Sequence, residues 1–346
     1  MNRPTISDLA RAAGVSLSTV NRLLHGTGMV RSDTADRILD AADKIGFYGI
    51  GALRERKKEG LPRRRLGFLM QQSHRPLYQL WADGIVGAAE AYSEMIVDPY
   101  VEFEDDLSPE AVSDNLLRMG AEVDALAIIT ADHPLVSQAI DELRGRGVPV
   151  VAYITDLSAA SRAGFVGTDN WKRGRTAAWF LNQTIAGAGR VLPLVGSNRY
   201  QCQDIADASF RSYLREHAPL IQVNETLMTH EIPENAYATV RQLANESQEL
   251  NGIFVNGGGI SGVLRAMREL SPEKQKNIRV VCCDIGPETR RGLTEGLIIA
   301  ALCHPLDKLP RELIEVMLGQ IERRDSLSIE QRVVPFEIVT PESIWT

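Results

Sequence analysis

Five side chains between positions 17 and 25 are of the types that read the edges of DNA bases. Leu17, Ser18, Asn21, Arg22 and His25 recur one, three and four residues apart, the spacing of one helix face. On such a face an arginine can grip guanine, an asparagine adenine, and a leucine the methyl of thymine. A different chemistry gathers further along the chain. Tyr78, Thr130, Asp132, Trp171, Lys172, Asp207, Asn256, Asp284 and His304 combine carboxylates, amides, hydroxyls and flat rings. Carboxylates and amides can take pairs of hydroxyls while rings stack on apolar sugar faces, so the set suits a polyhydroxylated ligand. Any one of these residues taken alone is better explained as a loop cap or structural polar group; their shared position at strand ends is what points to a site.

Reaction chemistry is harder to find. The six histidines are scattered without metal-ligand spacing, and no HExxH, GxSxG or Walker lysine occurs. Cys282 and Cys283 are adjacent, and Cys202 and Cys303 stand apart, so no CxxC pair exists. No catalytic residue, metal or cofactor is therefore assigned. One stretch competes with that reading: Gly257-Gly258-Gly259-Ile260-Ser261-Gly262 satisfies GxGxxG, follows an apolar run, and precedes Asp284 by 22 residues. It outlines a dinucleotide fingerprint and a nucleotide-dependent enzyme. Its late position and the lack of a nearby acid, base or thiol at telling spacing favour a glycine-rich turn of a binding protein.

The elements that must hold these residues are legible. Thr5 can cap a first helix with Asp8 in its opening turn, and Ile6, Leu9, Ala10 and Ala13 form its apolar stripe. Gly14 breaks it and Val15 plugs the turn. Ser16 caps a second helix, which buries Val20, Leu23 and Leu24 and stops at Gly26. Ser32 caps a third, with Ala35, Ile38, Leu39, Ala42 and Ile45 inward and Gly46 as its stop. Two short helices around a glycine turn make a helix-turn-helix, with the third supplying apolar cover. A generic three-helix interaction module is the plainer alternative.

From Leu66 onward, apolar runs alternate with helical periodicity. Strands are expected at 66–70, 125–130, 148–154, 191–195, 252–256, 280–283 and 298–303, with a last one over 333–339. Helices are expected at 81–94, 134–146, 171–185 and 260–270. Fully apolar strands alternating with helices mean parallel sheets covered on both faces. About nine strands in this length are better divided between two lobes, with ligands beyond the strand carboxyl ends.

At 346 residues, 44% hydrophobic and 24% charged, the chain is of ordinary globular composition. The start lacks a secretory signal pattern, no eighteen-residue apolar run occurs, and four cysteines are too few for a disulfide framework. A reduced, cytoplasmic protein is the expectation. The net charge of −7 hides an asymmetry: residues 1–65 carry 13 Lys+Arg against 7 Asp+Glu, while the remainder is net acidic. Only the head is suited to a polyanion. Its basic close, Arg54 to Lys58 and Arg63 to Arg65 around Gly60 and Pro62, reads equally as a solvated linker or a nucleic-acid arm.

The run from Thr5 to Gly26, and its continuation from Val30-Arg31-Ser32 to Ile45-Gly46-Phe47, resembles the DNA-binding domain of the lactose-repressor (LacI) family. The resemblance implies that Leu17, Ser18 and Arg22 read bases. Thr5, Ser7, Thr19 and Asn21 would hold phosphates or the groove edge, with Ser16 and His25 bracketing the same helix. Leu17 and Ser18 bond poorly to bases, so Arg22 is expected to dominate, at about 1–3 kcal/mol of discrimination. The family's Pro-Asn signature and hinge leucine are missing here; Arg56 stands where the leucine belongs. Either Leu53 supplies a minor-groove wedge, or Arg54 and Arg56 enter electrostatically.

The body resembles the two-lobed periplasmic sugar-binding fold that this family carries, best over Thr168 to Ala177 and Val280 to Asp284. By that resemblance Asp284 takes sugar hydroxyls, Lys172 replaces a common arginine, His304 a frequent glutamine, and Tyr78 a stacking aromatic. Asn256 substitutes for a family asparagine, and the segment around Asp207 replaces a further arginine. The expected organisation is a helix-turn-helix head with hinge at 1–60, a linker at 61–65 that must transmit any conformational change, and an α/β effector-binding and dimerisation domain at 66–346. The chain ends without leucine heptads, so a homodimer on a near-palindromic operator is expected, not a tetramer. The reading is a repressor of transcription controlled by a small sugar, polyol or related metabolite. A solute-binding protein serving a transporter is a third possibility, disfavoured by the head.

Overall fold

In the computed structural model, residues 3–58, 61–244, 250–323 and 328–344 are described. Gly60, Trp345, Thr346 and the side chains of Ser32, Lys57 and Lys58 lie outside them. The described residues form two compact units: Met1–Arg64 with Ala91–Val97, and Arg65–Glu90 with Asp98–Thr346.

Among its described residues the head holds four helices: α1 (Ile6–Ala13), α2 (Leu17–His25), α3 (Ser32–Ile45) and α4 (Ile50–Lys58). A reciprocal capping box starts α1: the Asp8 amide donates to Thr5 Oγ1 at 3.3 Å, and the Thr5 amide donates to Asp8 Oδ2 at 3.0 Å. Gly14 turns the chain at φ 62°, a left-handed value that a Cβ would strain. Arg37 on α3 donates to the Ala13 and Gly14 carbonyls at 2.8 and 3.2 Å, satisfying the exposed end of α1. Ser16 caps α2 through the Thr19 amide. At α3, Arg31 occupies the cap position without a side-chain bond, and the Ser32 side chain expected to cap this helix lies outside the described residues. Leu9, Val20, Leu23, Ile38, Ala42 and Phe47 meet in one core, and Leu53 of α4 joins them.

The described residues of the body form two sheets. The first runs, in spatial order, Glu330–Val334, Gly164–Thr168, Val150–Tyr153, Ala125–Ile128, Arg63–Gln71, Ile96–Glu104. The second runs Glu337–Val339, Ile298–Cys303, Arg279–Cys283, Gly252–Val255, Gly189–Val195, Ile221–Val223, with Leu227–Met228 also on Gly189–Val195. The central pairings are parallel, and Glu337–Val339 is antiparallel. Among the described residues the chain crosses between lobes three times: after Thr168, after His304, and between Val334 and Glu337. The last crossing corrects the single strand expected over 333–339. Pro335, which lacks an N–H for the ladder, separates a strand of each sheet. The first strand starts at Arg63 and so absorbs most of the segment read as a linker over 61–65. The helix expected from Trp81 starts at Pro76, a residue suited to a first turn. Ile96–Glu104 and Gly164–Thr168 were missed; the second is short and glycine-flanked. Among the described residues no helix is long and apolar enough to cross a membrane.

Candidate functional site

The head presents its polar residues on one side of its core. Ser7, Ser18, Arg22 and His25 are exposed, and Leu17 is 47% exposed although apolar. Leu17 and Asn21 line a shallow concavity with Arg3, Thr5, Ser7 and Tyr48. Tyr48, 73% exposed, had no place in the sequence reading. At the start of α2, the Ser16 hydroxyl meets those of Ser18 and Thr19 at 2.9 and 2.8 Å. That puts hydroxyls beside the positive end of a helix dipole, an arrangement that favours phosphate. Asp8, opposite in charge to such a partner, is drawn back into the capping box, where hydrogen bonds from Thr5 hold its carboxyl below its ordinary pKa. The hinge residues divide. Leu53 is fully buried in the head core because α4 packs on α2 and α3, so the wedge reading fails for this arrangement. Arg54 pairs with Asp43 at 3.0 Å on the surface, and Arg56 is exposed.

In the body, strand ends and loops of both lobes converge on a cleft. Five non-glycine residues there or beside it hold positive φ: Gln72, Ile154, His230, Glu231 and Asp284. Such strain persists where surrounding structure enforces it, often at binding sites. Asp284 Oδ1 lies 2.6 Å from His304 Nδ1 and also accepts the His304 amide at 3.0 Å. The other ring nitrogen, Nε2, stands 3.0 Å from Arg173 Nη1. Arginine can only donate, so Nε2 accepts and the proton sits on Nδ1, facing Asp284. Burial works against the Asp284 carboxylate, but the His304 hydrogen bonds and the Arg173 charge hold its pKa below the ordinary value. Arg173 is 2% exposed, with Nε unpartnered among the described residues.

Aromatic rings wall this relay. Trp81 meets His304 edge-on at 5.7 Å between centroids, and Tyr78 meets Trp81 likewise at 5.3 Å. Tyr78 and Tyr200 both donate to Gln71 Oε1, at 2.9 and 3.1 Å, the second across the lobes. Burial raises both phenols, so they remain donors. Trp81 Nε1 is a further buried donor lacking a protein partner among the described residues. Burial pushes Cys283 up to about 12 and also raises Cys202; protonated thiols are poor nucleophiles. The cavity these residues line has a volume of about 70 Å³. At about 10–15 Å³ per water by the same measure, that is roughly five to seven waters, the bulk of one small ring.

The expected residues therefore separate. Tyr78, Asn256, Asp284 and His304 line the cavity together. Thr130 and Asp132 line the adjoining part of the cleft, where Asp132 accepts from Ser158 and from Gln201 of the other lobe. Lys172 and Trp171 do not reach it. Lys172 is 75% exposed and pairs with Asp169, and Trp171 is about half exposed. Asp169 caps the helix at Lys172, which turns Asn170 and Arg173 inward and their two neighbours out. Asp207 is also elsewhere, clasping Arg211 Nε at 3.1 Å and Thr226 Oγ1 at 2.8 Å. Missing from the sequence reading were Arg75, Trp81, Arg173, Tyr200, Gln203 and Glu231. Helix phase after the Asp169 cap could have found Arg173; Tyr200 and Glu231 carry no local signal.

Two family models match the chain. Residues 5–49 match the bacterial regulatory proteins of the lacI family, and residues 66–324 match a periplasmic binding protein domain. The chain carries a lacI-family helix-turn-helix head on a body that belongs to the periplasmic binding protein domain family. It is a sequence-specific DNA-binding transcriptional regulator with a periplasmic-binding-protein body, and the dinucleotide-enzyme alternative is not supported by the relatives it matches. The HTH-type transcriptional regulator MalR of Streptomyces coelicolor is 24% identical over 82% of this chain and 80% of its own. The sucrose operon repressor of Pediococcus pentosaceus is 22% identical over 97% and 98%. Among solved structures, GanP, a glucose-galactose binding protein from Geobacillus stearothermophilus, superimposes with a TM-score of 0.72 at 18% identity, covering 82% of this chain and 99% of its own. That likeness fixes the fold of the body, and the helix-turn-helix match ends just before α4, where the hinge signature departs.

Proposed function

We propose that this LacI-family regulator is a homodimeric cytoplasmic repressor whose cleft takes a single small sugar, polyol or related polyhydroxylated metabolite. The observation that carries the reading is the Asp284–His304–Arg173 relay, walled by Trp81 and Tyr78, in a space sized for one ring. A carboxylate with spare lone pairs, a buried guanidinium and an indole donor offer several oriented partners for hydroxyls, and the rings supply apolar faces. Nothing in the set provides an activated nucleophile, so the role assigned to the cleft is binding. The ligand acts by its unequal affinity for two lobe arrangements, which changes the spacing of paired heads and hence operator affinity. In the head, Arg22 reads guanine, Leu17 and Ser18 add shallower contacts, and Thr5, Ser7, Thr19 and Asn21 meet the backbone. Arg54 and Arg56 supply the charge that a wedge leucine would otherwise accompany.

A selection of duplexes from a random pool, followed by sedimentation of the best one with the full chain, tests this. The expected product is an inverted repeat bound by two chains. Enrichment of a single half-site bound by one chain refutes the dimer.

A further inference from the structure

The glycine-rich turn at Gly257–Gly262 has no part in reading DNA or in the relay, yet its glycines are sterically required. A Cβ on Gly258 would collide with the Glu231 carboxylate, as would one on Gly196 from a neighbouring loop; a Cβ on Gly257 would strike Gln203. Three glycines thus clear a hollow, and the chain's own carboxylate fills it. Glu231 Oε2 accepts from Arg75 Nη1 at 2.6 Å, and Oε1 from Gln203 Nε2 at 3.3 Å. Gln203 is itself fixed, its Oε1 accepting the Gly196 and Ser197 amides at 2.6 and 3.3 Å. Arg75, steadied by Gln72 Oε1 at 2.9 Å, follows the Arg63–Gln71 strand of the first lobe; Glu231 follows Leu227–Met228 of the second. The pair therefore bridges the lobes beside the cavity. Both ends are largely buried, and His230 and Glu231 hold φ of 53° and 61° to put the carboxylate there.

A buried ion pair held on a strained loop is an unstable choice for a permanent strut. We propose that the hollow is a carboxylate subsite of the effector cleft, which Glu231 occupies as an internal stand-in and which the acid group of the effector takes over. The effector class is then a sugar acid, an aldonate or a uronate. This rests on the reading of the cleft as an effector site and narrows it. An incoming carboxylate keeps Arg75 and Gln203 satisfied, whereas a neutral hydroxyl displacing Glu231 would leave the guanidinium buried without a counter-charge. The inner cavity already balances Arg173 against Asp284, so it suits the hydroxyl-bearing remainder of such a molecule. Departure of Glu231 also lets residues 230–231 relax from the left-handed region.

The test uses the full chain and matched pairs: D-gluconate against D-glucitol, and D-galacturonate against D-galactose, by titration calorimetry. At least one acid should bind ten times more tightly than its neutral partner. Glu231→Ala should raise the acid affinity a further tenfold or more by removing the competitor. Independently, millimolar acetate should raise the melting temperature of Glu231→Ala at fixed ionic strength and leave the parent chain unmoved. Glu231→Gln keeps the shape without the charge, and carries the affinity comparison if the alanine variant fails to fold. Binding of the neutral members alone, with no rescue by acetate, overturns the subsite and leaves the effector cleft standing. Binding of neither class, again without rescue, overturns the subsite and counts against the effector reading as well.

Discussion

Replacing Arg173 with methionine is the sharpest perturbation of the relay, because the side chain is fully enclosed and its neighbour Lys172 is an exposed control. The variant removes the donor to His304 Nε2 and takes a nearby positive charge away from the Asp284 carboxylate. Leaving a buried hydrogen-bonding group without its charged partner costs about 1–3 kcal/mol, and Arg173 is only 2% exposed. At about 2–4 °C per kcal/mol for a body of this size, the melting transition should fall by roughly 2–12 °C. Lys172→Met, whose side chain is 75% exposed and pairs with Asp169, should stay within about 0.5 kcal/mol of the parent. Differential scanning calorimetry of both variants, with sugar binding measured on each below its transition, decides the matter. Equal melting temperatures, or loss of binding in Lys172→Met with retention in Arg173→Met, would refute the assignment of Arg173 as the buried cation of the site.

Other outcomes follow from the same geometry. Leu53→Ala should cost the head about 2–5 kcal/mol, seen as lost amide-exchange protection across α1–α4, since the side chain sits in their core; unchanged protection with altered DNA bending would restore the wedge. Arg22→Ala should lose about 1–3 kcal/mol on the selected duplex and much less on a scrambled one, by anisotropy, and an equal loss on both would remove it from base reading. Asp284 is held below its unfolded pKa near 3.9, so its contribution to stability is present above that value and is lost as pH falls through the lower folded one. Denaturant midpoints from pH 6 to 3 should therefore fall less steeply in Asp284→Asn; parallel curves would contradict the sign.

Periodicity and capping made the head readable almost residue by residue, because short-range spacing decides a small helical domain. The alternation of apolar runs with helices made the two-lobed body readable for a similar reason. Site residues were legible only where a strand end fixes them: Tyr78, Asn256, Asp284 and His304 each follow or open such an end. Trp171 and Lys172 mislead because one step along a helix turns a side chain by about 100°, and the Asp169 cap, not the motif, sets the phase. Leu53 misleads because an apolar residue among arginines reads as free until α4 is seen lying on α2 and α3. Glu231 gave no signal at all; its partner Arg75 is 156 positions away, and only the three-dimensional hollow between glycines shows its place.

The central claim is that occupancy of the cleft changes operator affinity. Its most direct test is an anisotropy titration of the full chain on its own upstream DNA at fixed salt, with and without each member of a panel of pentoses, hexoses, polyols and sugar acids. One compound should shift the dissociation constant by about 5–150-fold, and Asp284→Asn should abolish that shift while keeping the unliganded affinity. A shift that survives Asp284→Asn undiminished, or an affinity that no member of the panel moves, would contradict it.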